Sequence, residues 1–507
     1  MMIKNIAIVG GGTAGWLTAN HLGQVLLEQG VSITLIESPN IPTIGVGEGT
    51  VPSMRQSLKK FGIRESDFIR ECDVTFKQSI KFVNWLDKKK HGENYYHHLF
   101  DSPVLFGDEL TAGWLGSEQN ESYADYVSKQ TFCCDKMLAP KTITTPEYIG
   151  INGYAYHFDA KKFALFLSKH AIKHFAIQHL LADISDIKVD CDGYITHLET
   201  ADNESIAFDF VIDCSGFSAA IIGDKLGVEF LDRSDLLLTD TALTLQVPTC
   251  SSDAIPPYTI ATAHQAGWIW DIALTQRRGI GLVYSSKHMS DEQAHKKLHH
   301  YLGNQFTDLV PRKIPMKVGR RKLFWHKNCV AIGLSQGFVE PLEATAILLA
   351  DFSASLLAKR FPRTHADISL LNDAYNKKVS YVWDQTFDFI KMHYCISDRK
   401  DSAFWLENKA PDSQSEKLQN NLARWQRFSP IREDFDSKFD LFDFDNYLYV
   451  LNGMKLGDNK LKQTPVLMKK VSEQKKRQQY RVKQLLSELP DHRELINKIK
   501  EFGLQKQ

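Results

Sequence analysis

A glycine-rich turn between a short apolar strand and a helical segment constrains the fold of this chain more than any other feature. Residues 6–9 predict a strand that leads directly into Gly10-Gly11-Gly12-Thr13-Ala14-Gly15. Ala19, Leu22 and Leu26 follow at helical spacing and give the next segment one apolar face. This order of strand, glycine turn and helix is typical of the first unit of a dinucleotide-binding domain.

Three glycines and one acid in this unit have separate physical tasks. Gly10 permits the tight turn, Gly12 lets the backbone approach a pyrophosphate, and Gly15 lets the helix and strand pack closely. The free amides and positive dipole end of the helix would hold the pyrophosphate. An alternating strand at residues 31–36 ends at Glu37, whose carboxylate can accept hydrogen bonds from ribose hydroxyls. The alternative is a glycine turn without a ligand.

Three more segments bear on the cofactor, because the glycine unit alone does not distinguish FAD from NAD. The loop Ile44-Gly45-Val46-Gly47-Glu48-Gly49 can bring several backbone amides close to a ring or a phosphate. Apolar strands at residues 208–212 and 329–332 end in the small residues around Ser215 and in Gly333-Leu334. Ligands bind at this carboxyl edge of parallel sheets. No second glycine motif of this type occurs, so a separate NAD(P)H domain is not expected.

Composition excludes several classes of protein. The chain has 507 residues, with 61 Lys plus Arg against 61 Asp plus Glu, so it lacks the basic excess of a nucleic-acid binder. Its apolar runs are shorter than the roughly 20 residues that a membrane span needs. Its eight cysteines include no C-x-x-C pair, which predicts reduced thiols in a cytoplasmic protein and no metal site. The sequence leaves open whether the chain is a monomer or a homodimer.

Further segments carry a family resemblance. They are Gly10-Gly11-Gly12-Thr13-Ala14-Gly15-Trp16, Gly45-Val46-Gly47-Glu48, Phe76-Lys77, Asn84-Trp85, Asp213-Cys214-Ser215-Gly216-Phe217, Gly267-Trp268-Ile269-Trp270-Asp271-Ile272, Gly337-Phe338-Val339-Glu340-Pro341-Leu342-Glu343 and His393-Tyr394. With these segments the chain resembles the flavin-dependent tryptophan halogenases from Gly10 to about Trp405. The W-x-W-x-I segment is the most diagnostic, although Ala273 stands where this family usually has proline.

The resemblance implies an α/β (α+β) fold, with an FAD-binding Rossmann-like module of the flavin monooxygenase type and a mostly helical substrate module. The FAD-binding module is expected to be discontinuous, over residues 1–85 and 150–360. The substrate module is expected over residues 86–149 and 361–507, including a helical C-terminal region.

The resemblance also implies a reaction. The family uses reduced FAD, dioxygen and chloride or bromide to form hypohalous acid, which crosses a tunnel to a separate pocket and halogenates tryptophan or another indole-type aromatic. A separate NAD(P)H-dependent flavin reductase is expected to supply the reduced FAD. The expected FAD-binding residues are Gly10, Gly12, Thr13, Ala14, Gly15, Glu37, Gly45, Val46, Gly47, Glu48, Gly333 and Leu334.

Two residues match the catalytic positions of the family. Lys77 matches its essential lysine, which either hydrogen-bonds hypohalous acid as an ammonium or forms a haloamine as a neutral amine. The second route needs a pKa depressed by burial. Lys81 is the nearest rival and is interpreted as structural. Glu343 matches the catalytic glutamate, which can stabilise the cationic ring intermediate and help remove its proton. Pro341 suits a first helical turn here, and Ile347 to Leu357 predict an apolar helix.

Other positions are assigned to the halide, the substrate and the tunnel. The amides of Thr345 and Ala346 could hold the halide at the start of that helix. His98 and Phe100 match a pair that lines the indole pocket, although the neighbouring His97 blurs the register. Trp268 and Trp270 are expected to form the tunnel wall that keeps an aromatic substrate away from the flavin. Their spacing alone favours buried core aromatics on one face of a strand, and it is the resemblance that favours the tunnel wall.

Two alternative functions remain at this point. One is an FAD-dependent aromatic monooxygenase that hydroxylates its substrate without halide. The other is a non-catalytic flavin-binding protein. Lys77, Glu343 and the tryptophan wall favour the halogenase, because a hydroxylase needs direct contact between the substrate ring and the flavin. The exact aromatic substrate, the position attacked and the preferred halide are not determined by the sequence.

Overall fold

The strands of the glycine-turn unit belong to a six-stranded, mostly parallel sheet. The computed structural model describes residues 2–41, 48–306, 309–435, 437–457 and 463–506, with Glu48 described by its backbone alone. The strands are β1 (Asn5–Val9), β2 (Ser32–Glu37), β3 (Glu48–Gly49), β4 (Thr75–Lys77), β5 (Ser79–Val83), β6 (Tyr95–Leu99), β7 (Ala155–Phe158), β8 (Gln178–Leu181), β9 (Ile184–Val189), β10 (Ile195–Thr200), β11 (Ser205–Ala207), β12 (Phe210–Asp213), β13 (Phe230–Asp232), β14 (Thr241–Pro248), β15 (Tyr258–His264), β16 (Gly267–Ala273), β17 (Arg277–Tyr284), β18 (Arg312–Pro315), β19 (Gly319–Arg321), β20 (Trp325–His326), β21 (Cys329–Ala331) and β22 (Gly337–Phe338). The helices are α1 (Thr13–Leu26), α2 (Met54–Lys60), α3 (Glu65–Glu71), α4 (Lys88–His91), α5 (Glu109–Leu115), α6 (Tyr123–Val127), α7 (Gln130–Asp135), α8 (Ala160–Phe175), α9 (Asp291–Leu302), α10 (Thr345–Lys359), α11 (His365–Cys395), α12 (Ala403–Glu407), α13 (Glu416–Trp425), α14 (Phe444–Gly453), α15 (Pro465–Glu488) and α16 (His492–Phe502).

The parallel sheet has the strand order β20-β21-β12-β1-β2-β8. β1 pairs in parallel with β2 and β12, and β12 pairs in parallel with β21. The carboxyl ends of β1, β12 and β21 therefore meet at one edge, as the sequence predicted. The predicted α/β fold with a Rossmann-like sheet is confirmed.

Helix α1 follows the turn and depends on burial for its stability. Among the described side chains none caps its N-terminus, where Gly12 precedes it in an extended conformation. Leu17 and Leu22 are completely buried in the contacts of α1 with α8 and α10. Each such side chain contributes about 1.5–3 kcal/mol when fully buried. Gly30, with φ +66°, ends the following short turn in the left-handed conformation.

A second, seven-stranded sheet has the order β18-β14-β17-β16-β15-β5-β6. β5 pairs in parallel with β15, and the other neighbours are antiparallel. A third, small sheet places β7 between β3 and β4. Only Gln78 separates β4 from β5, so the chain passes from the small sheet to the large one immediately after Lys77.

Helices cover the large sheet and fill the space beside it. Helix α11 runs for 31 residues, α14 packs on β6, and α15 packs on α5, α6 and α7. The largest hydrophobic core contains Ile8, Tyr96 and Tyr447, so it joins residues of both predicted modules. The boundaries of those modules stay a prediction. Within the described ranges, no helix combines the length and the hydropathy required to span a bilayer.

Candidate active site

The glycine turn has the geometry that the three glycines predict. Gly10 has φ +122°, and a Cβ on it would lie 2.1 Å from the carbonyl oxygen of Cys214. A Cβ on Gly15 would lie 1.9 Å from the carbonyl oxygen of Gly10, so a side chain is excluded at both positions. In contrast, a Cβ on Gly12 would meet nothing within 4 Å. Gly12 therefore faces open space, into which a ligand can approach the backbone.

Glu37 ends β2 beside this turn. A Cβ on Gly11 would lie 2.0 Å from Cδ of Glu37, which places the carboxylate against the turn. Its Oε2 lies 2.9 Å from Nε2 of His179. Gly45, Val46 and Gly47 lie outside the described residues, and the backbone of Glu48 pairs with Phe158 in the small sheet.

One continuous cavity of about 640 Å³ connects the turn to the predicted catalytic lysine. Ligand pockets commonly have volumes of about 300–1,000 Å³. The cavity is lined by members of three groups, namely the glycine turn with Glu37, the ends of β12 and β21, and the region around Lys77. The lining residues that the sequence analysis assigned are Gly10, Gly12, Thr13, Ala14, Glu37, Lys77, Trp270, Gly333, Leu334 and Ala346.

Lys77 lies at the end of β4 and is 1% exposed. Its Nζ donates to the carbonyl oxygen of Thr50 at 3.1 Å and lies 5.4 Å from the ring centre of Phe100. Burial lowers the pKa of Lys77 to about 8, against the opposing influence of the nearby Glu343 charge. The ammonium and the neutral amine are both accessible near neutral pH.

Glu343 is at the end of a 3₁₀ turn rather than in the first turn of an α-helix. Pro341–Glu343 form this turn, and α10 begins only at Thr345. Between them, Ala344 has the left-handed conformation with φ +57°, which interrupts the helix that Pro341 was expected to start. The start of α10 therefore follows the Glu343 turn after a single residue.

Two histidines hold the carboxylate of Glu343, which is 2% exposed. Nδ1 of His98 lies 3.0 and 3.1 Å from its two oxygens, and Nε2 of His393 lies 2.9 Å from Oε1. Burial acts to raise the pKa of Glu343. The interactions with His98 and His393 outweigh burial, so that the pKa falls to about 2. Glu343 is therefore ionised at neutral pH.

Lys77 and Glu343 come together although 266 positions separate them in the sequence. A Cβ on Gly49 would lie 3.5 Å from Nζ of Lys77 and 3.7 Å from Cβ of Ala344, the residue after Glu343. Both side chains are buried, and the charge of each is felt at the other. The amine and the acid thus share one end of the cavity region, away from the glycine turn.

The strand register at β6 separates the two neighbouring histidines. His98 faces Glu343, and Phe100 on the same side faces Lys77. His97 points the other way, with Nδ1 2.9 Å from Oγ of Ser79. Lys81 also faces away, because it pairs with Asp135 at 3.1 Å. The predicted positions 98 and 100 are therefore the ones that border the lysine and the glutamate.

The two tryptophans lie on β16 with their ring centres 6.0 Å apart, and both are buried. Trp270 lines the cavity. Trp268 does not, and its indole Nε1–H donates instead to Oε2 of Glu340 at 3.0 Å. Thr239 and Tyr394 donate to the same oxygen at 2.8 and 3.0 Å. Burial raises the pKa of Glu340, although these three hydrogen bonds oppose the rise.

The sequence analysis missed the functions of Glu340 and His393 in this arrangement. Both residues belong to matched segments, but neither was given a role. The sequence did contain a signal for Glu340, because it is a second glutamate only three residues before Glu343 in the same buried segment. For His393 the pairing with Glu343 depends on the path of α11, and spacing in the sequence does not reveal it.

The start of α10 shows where the predicted halide residues lie. Ala344 and Ala346 line the cavity beside Lys77. Thr345 is completely buried, and its hydroxyl donates to the carbonyl oxygen of Glu340 at 3.4 Å. The α10 N-terminus presents backbone amides and the positive end of the helix dipole, which are suited to an anion.

The residues present fit FAD. Gly12 leaves the space that a pyrophosphate needs, the uncapped N-terminus of α1 faces the cavity, and Glu37 lies where a ribose would follow. Gly333, with φ +82°, lets the end of β21 approach Ala14 so closely that a Cβ there would be 2.6 Å from that side chain. The remaining cavity towards Trp270 is predominantly apolar and can take a flat ring.

Comparisons with known proteins agree with this geometry. A family model described as tryptophan halogenase matches residues 5–469. The tryptophan 6-halogenase SttH of Streptomyces toxytricini is 34% identical over 454 residues, which cover 85% of each chain. A crystal structure of a tryptophan halogenase from Shewanella frigidimarina NCIMB 400 has a TM-score of 0.95 and 38% identity, covering 100% of this chain and 99% of the other. BrvH, a flavin-dependent halogenase from Brevundimonas sp. BAL3, has a TM-score of 0.87 and 30% identity, with 98% and 99% of the two chains covered.

The match extends over most of the chain and over nearly the full length of these relatives, and it includes both the glycine turn and the Lys77–Glu343 region. The relatives are halogenases, so they support halogenation and not the hydroxylase alternative. This chain belongs to the tryptophan halogenase family of flavin-dependent enzymes.

Proposed function

We propose that this enzyme halogenates tryptophan or another indole-type aromatic in a pocket bordered by Lys77, Glu343, His98 and Phe100. The observation that carries the proposal is the continuous cavity from the glycine turn to a buried lysine beside a buried glutamate. Such a passage lets a small oxidant move from the flavin site to the substrate pocket, whereas the aromatic substrate stays in its own pocket.

FAD would be held by the glycine turn, by the amides at the start of α1 and by Glu37. When bound in its reduced form, it supplies with dioxygen the oxidising power that converts chloride or bromide to hypohalous acid. Because the chain contains a single glycine motif, we infer that a separate NAD(P)H-dependent reductase delivers reduced FAD. The amides of Thr345 and Ala346 would hold the halide close to the cavity.

Lys77 would receive the hypohalous acid. Among the described residues its Nζ donates to Thr50 alone, and an ammonium carries three donor hydrogens. With a pKa of about 8, roughly a tenth of the amine is neutral at pH 7. Both routes, the hydrogen-bonded acid and the haloamine, are therefore supplied by the same buried group.

Glu343 would stabilise the positive charge that develops on the ring when the halogen adds, and then accept the ring proton. Its low pKa keeps it charged at neutral pH, and His98 and His393 fix its orientation. Trp270 would form part of the wall between the ring and the flavin. Trp268 supports that wall through Glu340.

The substrate remains open between free tryptophan and other indoles. Tyr447 and Tyr449 on α14 belong to the C-terminal helices, where the resemblance implies contacts to the charged end of tryptophan, but neither residue is a clean match to those contacts. Both are buried, and the hydroxyl of Tyr449 already donates to the carbonyl oxygen of Asp101 at 2.9 Å. A screen of tryptophan, tryptamine, indole and ring-substituted indoles, each with chloride and bromide, distinguishes these substrates.

Product mass tests the proposed function. Purified enzyme, reduced FAD and oxygen are combined with each indole in the presence and absence of halide. We expect a mass increase that corresponds to one halogen and that requires halide. A hydroxylated product formed equally well without halide would reject the proposal. The Lys77→Ala variant should bind FAD normally and give no halogenated product, whereas a non-catalytic flavin-binding protein would show no change.

A further inference from the structure

His393 has an environment that requires a proton in a defined place. It lies on α11 and is completely buried. Its Nδ1 lies 2.8 Å from the carbonyl oxygen of Phe389, and its Nε2 lies 2.9 Å from Oε1 of Glu343. A carbonyl oxygen can only accept, so Nδ1 must carry a hydrogen. In a neutral ring, Nε2 then carries a lone pair.

That lone pair would face an oxygen of the carboxylate. Two acceptors at hydrogen-bond distance repel each other unless one proton lies between them. The pair of His393 and Glu343 is thus built to hold one more proton than the neutral imidazole and the free carboxylate contain. The proton can be drawn on either partner, as imidazolium with carboxylate or as imidazole with carboxylic acid.

His98 provides a contrast on the other side of the same carboxylate. Its Nδ1 faces both oxygens of Glu343, and its Nε2 lies 3.0 Å from the side-chain amide nitrogen of Asn446. A neutral imidazole satisfies both contacts, because it donates through Nδ1 and accepts the amide N–H through Nε2. His98 therefore needs no additional proton, whereas His393 does.

We propose that His393 is a positioning residue that shares with Glu343 the proton released by the substrate ring. This inference rests on the proposed halogenation. In the final step the C–H bond at the halogenated carbon breaks, and its electron pair returns to the ring. The pair enters this step without its extra proton, so the ring proton binds to Glu343, is shared with Nε2 of His393 and leaves for solvent before the next turnover. No oxidant or reductant is consumed in this step.

The surroundings favour such sharing. The rings of Phe82, Trp85 and Phe389 lie 5.1, 6.1 and 5.1 Å from the His393 ring and exclude water from it. The other ionisable groups that act on this pair include His98 and Tyr96 on β6, Lys77 on β4 and Glu340, which precedes the turn of Glu343.

The experiment compares His393→Gln with the wild-type enzyme. Glutamine can still donate one hydrogen bond to Glu343, but it cannot carry the proton. We expect unchanged FAD affinity and a kcat reduced about tenfold to hundredfold with KM unchanged. Ring-perdeuterated indole should show a larger kinetic isotope effect in the variant, because proton removal becomes limiting. The acidic limb of the kcat–pH profile should move to lower pH, because only a carboxylate then titrates.

His264→Gln is the matched control, since His264 is also buried but bonds to the carbonyl oxygen of Val283 at 3.1 Å, far along the chain from Glu343. The His264→Gln variant should keep the wild-type isotope effect and the wild-type acidic limb of the kcat–pH profile.

A His393→Gln enzyme that halogenates with the wild-type isotope effect and the wild-type acidic limb would overturn the proposal, even if kcat fell. If this variant does not fold, the wild-type enzyme itself decides. Its rate should fall as the pH is lowered while the isotope effect grows, and an isotope effect that does not change with pH would overturn the proposal. Failure of the proposed function looks different, because the wild-type enzyme would then halogenate no indole at any pH.

Discussion

The glycine turn and the Lys77–Glu343 region are two ends of one cavity, and they are built in opposite ways. The turn is local, and its useful groups are backbone amides and the absence of a side chain at Gly12. The other end assembles charged side chains from β4, β6, α11 and the turn before α10. The glycine-turn end depends on positions where a side chain must be absent. The Lys77–Glu343 end depends on buried charges, which are stable only when they have hydrogen-bonding or oppositely charged partners. Substitutions should therefore affect the two ends differently.

The largest effect is expected within the turn itself. Gly10→Ala places a Cβ 2.1 Å from a backbone oxygen at φ +122°, and we expect it to cost more than about 3 kcal/mol of stability. Gly12→Ala should fold normally because nothing obstructs its Cβ, but it should weaken FAD binding about tenfold or more. Denaturant unfolding and flavin titration of both variants test this pair. Equal stability of the two would contradict the account.

The opposite end should lose chemistry without losing the cofactor. Glu343→Gln removes the negative charge, and we expect kcat to fall about 10²–10³-fold with FAD affinity intact. Glu340→Gln is the matched control, because Glu340 is equally buried three residues away and a glutamine oxygen can still accept from Trp268. Its loss of kcat should be far smaller. Similar losses in both variants would mean that the turn, rather than the Glu343 charge, supports the reaction.

The strand register gives a finer test. His98→Asn removes a donor to Glu343, and we expect kcat to fall about 10–100-fold. His97→Asn breaks a buried contact with Ser79 and should cost about 1–3 kcal/mol of stability while kcat changes little. If His97→Asn were the variant that lost activity, the register at β6 would have to be reversed.

The last expected effect has the opposite sign, because it is a gain in stability. Lys77 has a folded pKa of about 8 against 10.5 as its ordinary value, so the fold disfavours its charge. Lys77→Met should therefore raise the free energy of unfolding by up to about 3 kcal/mol at pH 7. Since the unfolded wild-type chain binds the extra proton between pH 8 and 10.5, wild-type stability rises with pH there and the difference shrinks. Urea unfolding of both proteins at pH 7 and pH 9 tests the sign, and a wild-type protein that is the more stable at pH 7 would refute it.

These two ends also show how much the sequence can predict. The strands, the turn, α1 and the carboxyl edge of the sheet follow from local spacing, and the structure agrees with them. Lys77 and Glu343 were found through resemblance, because no local pattern links residues on different sheets. The contacts of Glu343 with His98 and His393 could not be predicted from the sequence. These two histidines come from β6 and α11, at 245 positions before and 50 positions after Glu343. The start of α10 was misplaced because the left-handed conformation of Ala344 depends on packing rather than on residue type.

The C-terminal region illustrates the same limit. The apolar residues from Val482 to Leu489 recur at helical spacing, and Leu485 and Leu489 among them are buried against the body of the protein. Leu486, another of these residues, is 40% exposed. Helical spacing identifies the face of α15 that packs on the protein. How many residues of that face are buried depends on the surfaces of α5, α6 and α7 against which it packs.

The central claim is that the oxidant forms at one end of the cavity and acts at the other. It is tested most directly by Lys77→Met loaded with reduced FAD and then mixed with oxygen, bromide and an indole substrate. Halogenated indole and the hypobromous acid captured by a small phenol in solution are quantified together. We predict that the variant consumes reduced FAD and forms hypobromous acid as the wild-type enzyme does, while halogenated indole falls at least about 10³-fold. Wild-type amounts of halogenated indole from Lys77→Met, or loss of oxidant together with product, would contradict the claim.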